Sequence, residues 1–390
     1  MKNIIADRMS RLGNETAFEM LAKAKVLEAQ GKEIIHLEIG EPDFPTPENV
    51  IEKGIECMKK GMTKYTPSPG ILESRQTIAD YIGRTRGYIV DPEEVVMTAG
   101  GKPIMFYSIL ATVNSGDEVI YPNPGFPIYE SVIKFVGGKP VPIPLREENE
   151  FRMDIDEFRS LITDKTKMVI INSPQNPTGG MLTKEDLEAI AKEVIDRNII
   201  VLSDEIYENI VYDEKSYSIT SIPGMKENTV ILNGFSKSYA MTGWRAGYGV
   251  MPKYLAEHIT KLVVNSTSCL SGFTQMACIE ALTAPQDEVF RRTAQFKIRR
   301  DKIVDGLNSI KGLTCNKPHG AFYAFPNISK FGKSSSEMAD YLLYEAGVAT
   351  LGGSSFGKYG EGFLRLSYAN SLQNIEKAVI RVEEALNKLR

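Results

Sequence analysis

One unit recurs through the middle of this chain: a short, unbroken apolar run followed by a helical stretch. The runs are VVM at 95–97, EVIY at 118–121, MVII at 168–171, IIVL at 199–202 and TVIL at 229–232. A strand with one face in water alternates polar and apolar residues. An unbroken run is what a strand covered on both faces needs. Strand–helix–strand repetition of such runs predicts an α/β fold with a mainly parallel sheet between helical layers.

The texture changes after about Pro285. A charged helical stretch, EVFRRTAQFKIRRDKIVDGL, leads to the shorter strand candidates AFYAF at 321–325, VATL at 348–351 and FLRLS at 363–367. A last helix carries Ile375, Val379, Val382, Leu386 and Leu389 at helical spacing. Near the start, Asn14-Glu15-Thr16 precedes a helix with Phe18, Leu21, Ala22 and Val26 on one face, and Gly31 is its stop signal. EIIHLEI then reads as a strand. GEPDFPTP, from Gly40 to Pro47, reads as irregular, because Pro42, Pro45 and Pro47 remove backbone donors. These shifts place a large domain at 46–285, and a smaller α/β domain formed by 1–45 together with 286–390.

Composition removes several classes of function. The 390 residues hold 46 Lys and Arg against 50 Asp and Glu, a net charge of −4. That balance argues against a dedicated nucleic-acid binder, which needs a basic face. No apolar run approaches the roughly 20 residues that cross a bilayer. The opening MKNIIADRMSRLGNETAF lacks the apolar stretch of a secretory signal. Cys57, Cys269, Cys278 and Cys315 form no CxxC pair and are too sparse for a disulfide framework, so free thiols in a reducing cytoplasm are expected. His36, His258 and His319 lie far apart, and no metal site is expected.

In an open parallel sheet, ligands sit beyond the carboxyl ends of the strands. Polar, site-type residues follow four of the runs: Thr98-Ala-Gly100-Gly101-Lys102, Asn172-Ser-Pro-Gln-Asn176, Ser203-Asp204-Glu205-Ile206-Tyr207, and Asn233-Gly-Phe-Ser236-Lys237. Gly100-Gly101 precedes a helical stretch. Such a pair is either an ordinary turn or a place where backbone N–H groups and the helix dipole meet a phosphate. The GxxxxGK[ST] and GxGxxG nucleotide patterns are missing, since Gly247-Tyr248-Gly249 lies inside an apparent strand. A lone lysine such as Lys237 is usually a solvated charge. Placed at a strand end, burial can free its amine as a nucleophile. Arg245 lies eight positions further on, Asp204 can face a cationic ring nitrogen, and Tyr207 can donate to an oxygen of the same ring. An amine, a phosphate cradle and a buried carboxylate are the groups that pyridoxal phosphate requires.

SPQNPTGG, SDEIYENIVYD and SKSYAMTGWRAGY stand in an order and spacing that resemble the class I/II pyridoxal-phosphate-dependent aminotransferases of fold type I, in particular the aspartate, aromatic and alanine aminotransferase subgroup. The resemblance runs from GEPDFPTP to RLSYANS. It implies that Lys237 forms the Schiff base and shuttles a proton, that Asp204 pairs with the pyridine nitrogen, and that Asn176 and Tyr207 bind the phenolic oxygen. It assigns Gly100, Gly101, Lys102, Ser236 and Arg245 to the phosphate side, and Phe126 to stacking on the ring, where many relatives carry Trp or Tyr. It gives Gly40, Asn176 and Arg365 to the substrate α-carboxylate. Tyr65, in KYTPSPG, would reach the partner subunit's site in a homodimer. From the residues alone, Arg365 reads more readily as a solvent-facing strand arginine. The implied reaction moves an amino group between an α-amino acid and an α-keto acid. A lyase or synthase of the same fold shares the cofactor residues. An amino-acid-sensing regulator would need a DNA-binding domain ahead of this body, for which no room is expected. Lys102 and Arg146 are the candidates for a cation that binds a distal substrate carboxylate, and phosphate binding is the better use of Lys102.

Overall fold

The structure is a computed structural model and describes residues 4–390. Its strands, in chain order, are β1 (Ile35–His36), β2 (Val95–Thr98), β3 (Glu118–Asn123), β4 (Lys139–Pro144), β5 (Thr166–Asn172), β6 (Ile200–Asp204), β7 (Thr229–Gly234), β8 (Gly247–Val250), β9 (Tyr323–Ala324), β10 (Val348–Ala349), β11 (Leu351–Gly352) and β12 (Leu364–Ser367). Seven of them form one sheet in the order β2-β8-β7-β6-β5-β3-β4. Every pairing in it is parallel except those of β8, which runs against both β2 and β7. The fold is the α/β arrangement expected from the unbroken runs.

Both faces of this sheet are covered. β5 sends Met168 and Ile170 into one apolar cluster, and Val169 and Ile171 into another. β6 divides Leu202 and Val201 in the same way. A period of two with an apolar residue at every step is the reason these strands read as continuous runs.

The edge strand β4 escapes the pattern. Its sequence, KPVPIP, places prolines at every second position. Lys139 and Leu145 donate their N–H groups toward the β3 side. By alternation Pro140, Pro142 and Pro144 face the open edge, where a missing donor costs nothing and discourages further pairing.

Three sequence expectations need correction. The helix Thr16–Ala29 buries Met20, Ala24 and Leu27, while Phe18 and Val26 are exposed. The helix carries apolar residues on two faces, and packing selected the other one. EIIHLEI forms a strand only at β1. VATL splits at Thr350: β10 pairs with β1, and β11 pairs with β12. β12 is the middle strand of the order β11-β12-β9. The last helix, Leu372–Asn387, buries Ile375, Val382 and Leu386 as its stripe predicts, with Ala378 and Ala385 between them. No described helix is long and apolar enough to cross a membrane.

Candidate active site

β3, β5, β6 and β7 all end on one edge of the large sheet, and β2, parallel to β7 through the reversed β8, ends there too. A cavity of about 530 Å³ opens at that edge. Gly40, Gly101, Lys102, Phe126, Asn176, Asp204, Tyr207, Ser236, Lys237, Arg245 and Arg365 all line it. Residues drawn from five strand ends and from the far β12 thus meet in one place, as expected for ligands in parallel sheets.

One wall suits an anion. The helix Lys102–Thr112 begins there, with Pro103 in its first turn. Gly100 holds φ of +91°, and a Cβ on it would lie 2.4 Å from the Arg245 guanidinium. Arg245 itself has φ of +55°, and its Nη1 donates to the Thr242 carbonyl at 2.9 Å. A Cβ at Gly247 would come within 2.3 Å of the Gly101 nitrogen. Glycines are required at these points because β8, the helix start and an arginine converge on one spot. A helix N-terminus with a guanidinium beside it is an arrangement that can hold an anion such as a phosphate. Gly100 shapes this wall without lining the cavity itself.

The floor holds a carboxylate. Asp204 ends β6 and is buried. It accepts from the Tyr129 hydroxyl at 2.5 Å and from the Ile206 N–H at 3.3 Å. It forms no ion pair among the described residues. Burial raises its carboxyl from the ordinary 3.8 to about 6. Lys237, three residues past β7, donates to the Gly40 carbonyl at 2.5 Å. Burial, and then the nearby Arg365 charge, lowers its amine from 10.5 to about 8. An amine held near neutrality is a usable nucleophile and base.

The opposite wall holds Arg365, buried in the middle of β12. Its Nη1 donates to Asn176 Oδ1 at 3.0 Å, and its Nη2 donates to the Glu38 carbonyl. Its Nε has no partner among the described residues. The guanidinium lies 4.6 Å from the centre of the Tyr323 ring and 4.9 Å from that of Phe356. A buried guanidinium that lines a polar cavity and has no carboxylate partner among the described residues can receive a carboxylate there.

Several lining residues go beyond the sequence expectations. Tyr129 holds Asp204. Asn172 donates to the Asp204 backbone carbonyl at 3.0 Å and accepts from the Asn176 N–H at 3.0 Å, so it orders two site segments. Tyr323 touches Tyr207 and Arg365. Glu15 pairs with Lys102 at the cavity's rim, beside the exposed Phe18. Two sequence candidates stand elsewhere. Tyr65 is 90% exposed and does not line this cavity. Arg146 pairs with Glu157 and does not line it either, which removes it as a substrate cation within this chain.

Residues 32–382 match the family model described as aminotransferase class I and II. The chain belongs to that aminotransferase family. It is 41% identical to an aspartate aminotransferase of Pyrococcus abyssi over 92% of each chain. It is also 41% identical to aromatic-amino-acid aminotransferase 2 of Thermococcus litoralis, over 92% of this chain and 94% of that one. Among solved structures, the aspartate aminotransferase from Thermus thermophilus with maleate superposes with a TM-score of 0.94 at 36% identity, covering 99% of this chain and all of the other. This aminotransferase has the fold type I architecture of those neighbours.

Proposed function

We propose that the cavity binds pyridoxal phosphate and transfers the amino group of acidic or aromatic α-amino acids to α-keto acids. One observation carries the reading: a buried carboxylate with no cation and an amine lowered to about 8 share a cavity without pairing with each other. A charge left unpaired in a folded protein calls for a partner from outside. Asp204 suits a protonated ring nitrogen, the Gly100–Lys102 turn with Ser236 and Arg245 suits a phosphate, Phe126 suits the ring face, and Tyr207 with Asn176 suits the phenolic oxygen. When bound, the cofactor supplies a carbonyl that takes up the amino group and a ring that draws electrons from the substrate's Cα.

The chain's own groups supply the rest. Arg365, with Asn176 and the Gly40 backbone, orients the substrate by its α-carboxylate. Lys237 Nζ takes the proton from Cα and returns it elsewhere. Asp204, held by Tyr129, would present its negative charge to the cofactor's ring nitrogen. The relatives named for aspartate and for aromatic amino acids support the substrate class, as does a rim with both the Lys102–Glu15 pair and Phe18. Borohydride reduction and peptide mapping should label Lys237. Single-turnover mixing with a panel of amino acids should leave the cofactor as its amine and release a keto acid; recovery of the aldehyde form would contradict transamination.

The proposal extends to assembly and place. The exposed Tyr65 completes the partner subunit's cavity in a cytoplasmic homodimer. Pairing of β1 with β10 supports grouping 1–45 with 286–390 as the small domain, beside 46–285. Mixing Lys237→Ala with an inactive Tyr65→Phe double variant should restore activity through hybrid dimers.

A further inference from the structure

Tyr323 is in contact with three separate parts of the site. Its hydroxyl lies 2.8 Å from the Tyr207 hydroxyl. Its ring lies under the Arg365 guanidinium at 4.6 Å. A Cβ on Gly40 would sit 2.3 Å from its hydroxyl oxygen, so residue 40 has no side chain in the space that this hydroxyl fills. The Gly40 carbonyl in turn accepts from Lys237. Tyr323 itself is only 1% exposed.

The backbone that presents Tyr323 is held from several directions. Ala321, two residues earlier, has φ of +58°, a conformation costly for a residue with a side chain. Its N–H donates to the Ile210 carbonyl at 2.9 Å, and its own carbonyl accepts from the Tyr212 and Tyr368 hydroxyls. Tyr323 then pairs with Ser367 on β12, the strand that carries Arg365. The strained turn and the strand pairing place ring and guanidinium on one rigid element.

We infer that Tyr323 is a positioning residue that couples substrate recognition to the cofactor side of the cavity. This rests on the placement of pyridoxal phosphate argued above. A hydrogen bond between two hydroxyls uses one proton. If Tyr207 donates to Tyr323, it offers only lone pairs to the cavity. If Tyr323 donates to Tyr207, the Tyr207 proton is free to point at an acceptor such as a phenolic oxygen. The second arrangement is the one that a bound acceptor selects, and in it the proton received from Tyr323 polarises the Tyr207 hydroxyl and strengthens its own donation into the cavity. The ring acts separately, its negative face bracing the Arg365 cation, which is buried with its Nε unpartnered. The charged and titratable groups facing the pair are Arg365, Asp204, Lys237 and, further out, Glu15.

The hydroxyl and the ring separate by mutation of the holoenzyme. Tyr323→Phe keeps the ring and removes the proton. The pH midpoint of the bound cofactor's visible absorbance should move upward by about 0.5, because the anionic oxygen loses part of its hydrogen bonding. Tyr207→Phe should move it further in the same direction. KM for amino acids should stay near that of the unaltered enzyme in Tyr323→Phe, with the loss in kcat. Tyr323→Leu removes the ring as well, and KM should rise about tenfold. A merely structural tyrosine predicts a lower melting temperature with an unmoved midpoint and no split between KM and kcat. An unmoved midpoint in Tyr323→Phe beside a shifted one in Tyr207→Phe overturns the coupling and leaves the cofactor placement standing. An unmoved midpoint in both variants overturns the Tyr207 placement, and the coupling with it. Tyr323→Phe conserves volume, so the test survives if Tyr323→Leu fails to fold.

Discussion

Asp204 and Glu205 are consecutive carboxylates at the end of one strand, and the molecule treats them in opposite ways. Glu205 turns away from the cavity. Arg86 binds it at 2.6 Å, and the Ser203 and Ser218 hydroxyls donate to its other oxygen at 2.9 and 2.5 Å. Arg86 also pairs with Glu208, which accepts further from Tyr81 at 2.9 Å and Asn233 at 2.7 Å. Each carboxylate oxygen there has its partner inside the protein. Asp204 has a tyrosine, a long backbone contact and no cation among the described residues. Buried ions survive when paired and saturated. One left unsaturated destabilises the empty protein, and that cost is recovered only when a ligand arrives. The two sides of β6 therefore separate structural charge from functional charge.

The comparison breaks most sharply in kinetics. Lys237→Ala or Asp204→Ala should fold and yet lose about four orders of magnitude in turnover. Near-normal half-reaction rates in Asp204→Ala would show that its isolation has no catalytic purpose. Arg86→Ala should do the reverse. It strips the cation from two enclosed carboxylates, a change that costs about 3–5 kcal/mol of stability. Denaturant unfolding should record that loss, while kcat/KM per folded molecule changes little. A variant as stable as the unaltered protein would mean that the cluster is not structural after all.

The sequence singles out Asp204 but not what becomes of Glu205: both stand in SDEIYENIVYD as acids at a strand end, and only the fold shows Glu205 saturated by Arg86, Ser203 and Ser218. What is legible comes from local order. β5, β6 and β7 are continuous apolar runs, and continuity alone implies two covered faces. Lys237, Arg245 and Asp204 lie in motifs whose spacing is itself informative. The unread parts depend on distance along the chain. Tyr129 meets Asp204 across 75 residues, and Tyr323 meets Tyr207 across 116. Nothing near either tyrosine distinguishes it from the rest of the chain's 17 tyrosines. β4 is hidden because its three prolines argue against a strand, and only its place at the sheet's edge makes them tolerable. The helix at 16–29 carries two apolar stripes, and tertiary packing, not its own periodicity, chooses between them.

The cofactor-free protein sharpens the contrast through pH. In the folded state Asp204 keeps its proton up to about 6, and in an unfolded chain only to about 3.8. Folding is therefore favoured by its proton below that range and loses the benefit as pH rises through 6. The loss is on the order of 3 kcal/mol. Asp204→Asn cannot ionise and should escape it. Thermal unfolding of cofactor-free protein should give matching melting temperatures near pH 4, and a higher one for Asp204→Asn at pH 8. Added pyridoxal phosphate should narrow the gap at pH 8 by stabilising the unaltered protein more. A gap already present at pH 4 would trace to packing and not to charge.

Arg365 falls between the two extremes, and so tests whether the contrast is graded. Two of its nitrogens are bound, to Asn176 and to the Glu38 carbonyl, and Nε is not. Arg86 Nε is likewise unpartnered, but Arg86 holds two carboxylates, whereas Arg365 pairs with no carboxylate among the described residues and in that resembles Asp204. If the open donor is meant for a substrate carboxylate, the planar fork matters, and lysine cannot reproduce it. Arg365→Lys keeps the charge and loses the geometry, so kcat/KM should fall by about 30-fold, the equivalent of about 2 kcal/mol. Every α-amino acid carries the same carboxylate, so aspartate, phenylalanine and alanine should suffer alike, and simple amines should suffer much less. The cofactor's absorbance should hold, because Arg365 is assigned to the substrate. Unchanged kcat/KM with lower stability would move Arg365 to the structural side with Arg86. A defect confined to aspartate would assign it to a distal carboxylate, and the α-carboxylate would then need another partner in the cavity.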